Sequence, residues 1–257
     1  MPPHRQHLYG FEIDAVTAGQ ALDRVEGAIT TRAPLLVGVV NAAKIVNSRR
    51  DPVLRQSVRQ ADLILADGMA VVWASRLVGR PLPERVAGID LMEGMLRRGA
   101  LRGWRFFCLG ATEEVNAAAC AWIAAHHPGV VLAGRHHGYF SREEEPEVVA
   151  AIREAAPDVL LVAMSSPKKE DFLARWSATL EVPVCHGVGG SFDVLAGKVS
   201  RAPRVVQDAG LEWAWRVGKE PRRLWRRYLT TNTRFLGLTL REWWRPTTRG
   251  AGGAGVG

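Results

Sequence analysis

The sequence predicts an α/β fold: a Rossmann-like, mostly parallel sheet flanked by helices, followed by a C-terminal helical appendage. Three observations predict it. Apolar runs alternate with helix-period segments from residue 34 to residue 188. The runs are continuously apolar, as strands covered on both faces are. Near residue 200 the strand pattern stops and an Arg- and Trp-rich segment begins.

Taken in order, "PLLVGVV" (34–40) reads as a buried strand. Residues 42–60 carry one helical period, and "DLILA" (62–66) is the next strand. "RFFCLG" (105–110) precedes a helix capped by Thr112, with Glu113 and Glu114 favourable in its first turn. "VVLAG" (130–134) is a strand, and "SREEEPEVVAAIREAA" begins as a helix with Ser141 as cap and Glu144 three residues on. "DVLLVAM" (158–164) and "VPVCHGV" (182–188) complete the series. Right-handed crossovers place the loops after the strands along one edge, where such sheets bind ligands.

The expected organisation is an α/β body over residues 1–199, an appendage of two or three amphipathic helices over 200–246, and a disordered tail over 247–257. The appendage holds five of the nine tryptophans: Trp213, Trp215, Trp225, Trp243 and Trp244. No internal repeat is present.

Composition narrows the class. A chain of 257 residues, 47% hydrophobic and 23% charged, is ordinary globular protein. A net charge of +8 favours anionic partners: nucleic acid, phosphorylated metabolites or an anionic membrane surface. Cys108, Cys120 and Cys185 are scattered, which suggests neither a zinc ribbon nor a disulfide framework and fits a reducing compartment. "MPPHRQHLYGFEID" has no apolar core, so no signal peptide is expected. No run reaches the roughly 18–20 apolar residues of a membrane span.

Four strand ends carry polar groups: Asn41; Asp67 and Gly68 of "ADGM"; "MSSPKKE" (164–170); and "GVGGSFDVLAGKVSRAP" (187–203). These side chains suit a polar ligand, and Gly187, Gly189 and Gly190 allow close backbone approach. Each has a plainer reading. Asp67 alone reads as a helix cap, the glycines and Gly110 as turn chemistry, and "PKKE" as a solvated helix start. G-x-G-x-x-G is absent, which lowers a dinucleotide reading. No D-x-D occurs and the histidines lack ligand spacing, so no metal is expected.

The block "VNAAKIVNSRRDPVLRQSVRQADLILADGMAVVWASRLVGRPLPERVAGIDL" resembles the WecG/TagA/CpsF family of bacterial glycosyltransferases, glycosyltransferase family 26. So do "GVGGSFDVLAGKVSRAP" and "GLEWAWRVGKEPRRLWRRYL". The resemblance runs from about residue 8 to residue 240 and implies the GT-E fold type. It implies an inverting enzyme that needs no metal or other cofactor. Such an enzyme moves a sugar from a UDP-sugar to a polyprenyl-diphosphate-linked saccharide, for teichoic acid, enterobacterial common antigen or exopolysaccharide. The sugar would be N-acetylmannosamine, its uronic acid, or another hexose or uronic acid.

The resemblance makes Asp67 the base that takes the acceptor hydroxyl proton. It makes Arg85 of "PERV" a catalytic arginine that stabilises the leaving diphosphate. Asn41, Gly68, Gly110, Lys169, Gly187, Gly189, Gly190 and Asp193 match binding positions, and Arg222, Arg223 and Arg226 are arginines the appendage adds. A helix with Arg on one face and Trp, Leu and Phe on another suits an anionic interface, so the expected location is the cytoplasmic face of the membrane, held peripherally. The plainer reading is a helix packed on its own domain. Two departures stand out: Val40 where Thr is usual, and Lys169 where the family has Gln. Lys169 adds a positive charge, which predicts a preference for a carboxylate-bearing donor.

Rival readings are a nucleic-acid-binding protein, a nucleotide-dependent oxidoreductase and an inactive family member. The first leaves the strand-tip residues without a role, so no nucleic-acid partner is expected. The second lacks the glycine fingerprint. Retention of Asp67 and Arg85 argues against the third. Homo-oligomerisation is left open by the sequence.

Overall fold

The computed structural model describes residues 4–208, 210–219 and 221–244. The side chains of residues 204, 208, 213, 216, 219, 221–224 and 226–228 are outside that description. The expected tail over 247–257 lies wholly outside it.

The chain opens with a hairpin that the sequence pattern did not disclose: β1 (Arg5–Leu8) pairs antiparallel with β2 (Phe11–Asp14). Strands of four residues are too short to show a period. Their turn is Tyr9–Gly10, with φ of 56° and 84°, the left-handed pair a two-residue hairpin demands.

Next come α1 (Ala18–Thr31), β3 (Leu35–Val40), α2 (Ala42–Asn47), α3 (Pro52–Arg59) and β4 (Leu63–Ala66). The single helical period of 42–60 is therefore two helices. Asp51 breaks it: its side chain accepts from Leu54 N and Pro52 starts α3, a start signal inside an unbroken apolar pattern.

The chain continues through α4 (Met69–Leu77), α5 (Gly88–Arg102), β5 (Arg105–Gly110), α6 (Glu113–His126) and β6 (Val131–His136). Thr112 caps α6 as expected, accepting from Val115 N. Then follow α7 (Glu145–Ala155), β7 (Val159–Ala163), α8 (Lys168–Leu180), β8 (Val184–Gly187) and α9 (Ser191–Leu195). The Ser141–Glu144 reciprocal bonds form, but in a turn ahead of α7, which starts at Glu145. The appendage is α10 (Arg204–Asp208), α11 (Glu212–Lys219) and α12 (Pro221–Trp243).

β3 to β8 form one parallel sheet in the order β4-β3-β8-β7-β5-β6, the expected Rossmann-like architecture. Helices α1, α5 and α6 bury one face, around Leu91, Met92, Ile123 and Leu161. The other face is covered by α2, α3 and α4 around Ile45, Leu54 and Val72, and by α7 and α8 around Ile152 and Phe172. The fold therefore places the ends of β4, β3 and β8 side by side.

α12 is amphipathic in two senses. Phe235 and Leu238 pack on the body beside Tyr9, whose hydroxyl lies 2.9 Å from Thr239 Oγ1. Arg80 pairs with Glu242 at 2.9 Å. Its outer face exposes Trp225, Leu229, Leu236, Leu240 and Trp243. No described helix is long and apolar enough to cross a membrane.

Candidate active site

Asp67 follows β4, and its N–H still donates to Val40 O of the neighbouring strand, so the backbone is held in the sheet. Gly68, not Asp67, occupies the N-cap of α4. The Asp67 carboxylate instead faces two donors from other elements. Gly88 N, at the start of α5, is 3.1 Å from Oδ1, and Asn41 Nδ2 is 3.4 Å from Oδ2. Burial raises the Asp67 carboxyl above the usual carboxylate range. The Gly88 and Asn41 bonds and the charge of Arg85 oppose that rise, while the charge of Glu212 adds to it.

Asn41 has two jobs. Its Oδ1 caps α2 by accepting from Lys44 N at 3.0 Å, which turns Nδ2 towards Asp67. At Gly68 an added Cβ would make ordinary contact with Asn41 Cβ at 3.6 Å.

Arg85 lies in the loop before α5, largely buried, with Nη2 3.1 Å from Asp90 Oδ2 and Nη1 3.2 Å from Glu212 Oε2. Glu212 belongs to α11, so the appendage meets the site here. Asp90 also receives Arg201, at 2.5 Å. Of these partners Arg201 stands in the quoted "SRAP" motif and Glu212 in "GLEW", yet neither was singled out, because pairing across elements leaves no local pattern. The side chains of Arg222, Arg223 and Arg226 lie outside the described residues.

Lys169 is buried and its stem lies against Gly187, where a Cβ would come within 2.5 Å of it. The plainer reading of "PKKE" as a solvated start fails: Lys169 and Glu170 are both buried. Glu170 Oε1 lies 3.3 Å from Lys169 and 3.3 Å from Lys44. Burial pushes the Glu170 carboxyl up, but Lys169 and Lys44 together hold it below its ordinary value. Burial, and then the charge of Lys169, lower the Lys44 ammonium. Two ammonium groups thus share one carboxylate beside β8, leaving an excess positive charge.

The remaining glycines divide. Gly189, half-buried, is left-handed with φ +53°, and Gly190, exposed, stands at the N-cap of α9. Asp193 sits in the first turn of α9, and its backbone carbonyl accepts from Lys198 and Val199. Gly110 is two strands further from Asp67 than β8 is, and a Cβ there would sit 2.4 Å from Ala163 O. Its glycine has a packing reason. Among the described residues no group of three His, Cys, Asp or Glu could hold a metal ion.

Comparison with known proteins identifies the family. The profile of the glycosyl transferase WecG/TagA/CpsF family matches residues 6–249. A Bacillus spizizenii protein named N-acetylglucosaminyldiphosphoundecaprenol N-acetyl-beta-D-mannosaminyltransferase is 35% identical over 209 residues, covering 81% of this chain and 77% of its own. Two Staphylococcus aureus proteins of the same name, from strains MRSA252 and MW2, are each 33% identical, over 82% and 85% of this chain and 83% and 86% of theirs. The chain belongs to the glycosyl transferase WecG/TagA/CpsF family and is a glycosyltransferase.

Proposed function

We propose that this enzyme transfers N-acetylmannosamine from a UDP donor to a polyprenyl-diphosphate-linked N-acetylglucosamine, with inversion and without a metal. The observation that carries the reading is the Asp67 carboxylate, held at the sheet edge by Asn41 and Gly88 within the electrostatic reach of Arg85. The relatives' shared name supports the choice of sugar and acceptor.

In the reaction the acceptor hydroxyl attacks the anomeric carbon and gives its proton to Asp67. The new C–O bond forms as the bond to the β-phosphate oxygen breaks on the opposite face, and UDP leaves with the electron pair. A raised carboxyl is a stronger base once ionised, and a rigid one needs no reorganisation. Arg85 stabilises the departing diphosphate by exchanging a carboxylate partner for phosphate oxygens. The outward apolar face of α12 rests on the membrane that carries the acceptor.

The test is UDP release from a panel of UDP-sugars, with a short-chain polyprenyl-diphosphate saccharide, with and without EDTA. Release with UDP-N-acetylmannosamine alone, unchanged by EDTA, is expected. EDTA-sensitive release removes the metal-free mechanism, and silence with every donor despite UDP binding removes the assigned acceptor.

A second donor reading rests on the excess positive charge of Lys44 and Lys169. It favours a uronate-bearing donor. If Lys169→Gln leaves the ratio of uronate to neutral donor use unchanged, this reading fails.

A further inference from the structure

We propose that His186 is a positioning residue for the Asp67 carboxylate, acting through Gly88. This rests on the reading of Asp67 as the base.

His186 is fully buried on β8, next to β3 in the sheet. Val184 and Val188, on the same face of that strand, belong to the core under α5. The ring reaches the start of that helix: Nε2 is 2.9 Å from Gly88 O. A carbonyl only accepts, so Nε2 carries the proton. On its other side Gly88 donates its N–H to Asp67 Oδ1 at 3.1 Å. One residue is thus gripped by β8 and itself grips the acid at the end of β4.

The two bonds use different peptide planes, so the ring fixes where Gly88 sits rather than polarising a single amide. The grip matters because α5 has no side-chain N-cap; Ala87 stands at that position. Besides its backbone and the ion pairs of Asp90 with Arg85 and Arg201, the helix start is held by Asp67 and His186. Gly88 is not packed hard on the ring, since a Cβ would meet His186 Cε1 and Val39 Cγ1 at an ordinary 3.6 Å.

The arrangement costs stability, which speaks against a purely structural role. His186 Nδ1 is buried and makes no hydrogen bond of good geometry, although the Val37 backbone of β3 lies close enough to favour the charged ring. Burial lowers the ring's pKa to about 4, so it is neutral at physiological pH and supplies neither charge nor a proton. In this apolar face an aliphatic side chain would avoid the unmade hydrogen bond.

The groups that face Asp67 are Gly88 N–H, Asn41, Arg85 and Glu212, with its charge also felt at Lys44. Loss of His186 therefore reaches Asp67 through Gly88. A slackened Gly88 bond raises the Asp67 carboxyl further, because that bond favours the ionised form.

The experiment uses the full-length enzyme with His186→Leu, His186→Met and His186→Gln, following kcat, donor KM and the pH profile. The Leu and Met variants should lower kcat on the order of 10-fold, the scale of a slightly misplaced reacting group. They should move the acid limb to higher pH, leave donor KM within about two-fold, a change too small to signal lost binding, and melt no lower than the parent. Gln, whose amide N–H spans a similar distance, should restore most of the rate and the profile. A parental rate and profile in Leu or Met overturns the inference, and so does an equal loss in Gln. Should Leu fail to fold, Met and Gln still decide it. Asp67→Asn is run beside them. If it stays active, the base reading and this inference fall together; if it is dead while Leu is unaffected, only this inference falls.

Discussion

Arg85 Nη1 lies 3.2 Å from Glu212 Oε2, a carboxylate that stands 127 residues later in the chain and belongs to the appendage. With Asp90 on its other amino group, the arginine has two acidic partners and little exposure. If the proposed role of Arg85 holds, a diphosphate arriving there must compete with a carboxylate, which couples donor binding to the seating of α11.

Glu212→Gln removes the competing charge. UDP should bind about 3- to 10-fold tighter, the scale of one charged hydrogen-bond partner lost by a competitor. The acid limb of the rate should move to lower pH, because the Glu212 charge raises Asp67. Calorimetry of UDP binding and a pH–rate profile check both, and unchanged binding contradicts the competition.

Asp67→Asn should cut kcat by about two to four orders of magnitude, the usual contribution of a general base. UDP affinity should hardly change. The sign for stability is opposite to that for activity. A carboxyl raised by burial favours the fold below its unfolded pKa and loses that contribution as pH rises through the folded value. At neutral pH the Asn variant should therefore melt at or above the parent temperature.

Glu170→Gln leaves the Lys44 and Lys169 ammonium groups buried without their shared carboxylate. Removing one partner of a buried pair costs about 3–5 kcal/mol, so urea melts at pH 7 should show a large loss. The lowered Glu170 carboxyl contributes stability above the ordinary glutamate pKa and loses it as pH falls through the lower folded value. The gap between parent and variant should close in acid.

Gly110→Ala should destabilise by about 2 kcal/mol or more, from strain at a left-handed position. Its φ is +125°, and the new Cβ would sit 2.4 Å from Ala163 O. A melting temperature equal to the parent's would show that the β5–β7 seam yields.

Leu236→Glu with Leu240→Glu changes two exposed positions of α12 and should leave stability within about 0.5 kcal/mol. Pelleting with anionic vesicles should fall sharply. Phe235→Ala, on the buried face beside Tyr9, should do the reverse: about 3 kcal/mol of stability lost.

Much of the fold is local information and was legible as such. The parallel strands from 34 to 188 show as apolar runs, and Thr112 announces α6 because a cap and its helix are neighbours in sequence. Asp67 and Asn41 stand out because polar residues at strand tips break an apolar pattern, whereas Arg85, in the loop before α5, stands out only through the family resemblance. Helix breaks and short strands were not legible: the Asp51 cap lies inside an unbroken period, and β1 and β2 are too short to have one.

What only the tertiary structure decided is which groups meet. The strand order β4-β3-β8 brings the Asn41 amide to the Asp67 carboxylate and stands His186 beneath Gly88. The docking of α11 gives Arg85 its second carboxylate, and α8 lays Lys169 across Gly187 to share Glu170 with Lys44. Periodicity and caps act over a few residues, so sequence by itself determined the longer apolar strands, the capped helices and the residues at their tips. Ion pairing and desolvation act through space, and their strength was set only when the sheet order made distant residues neighbours.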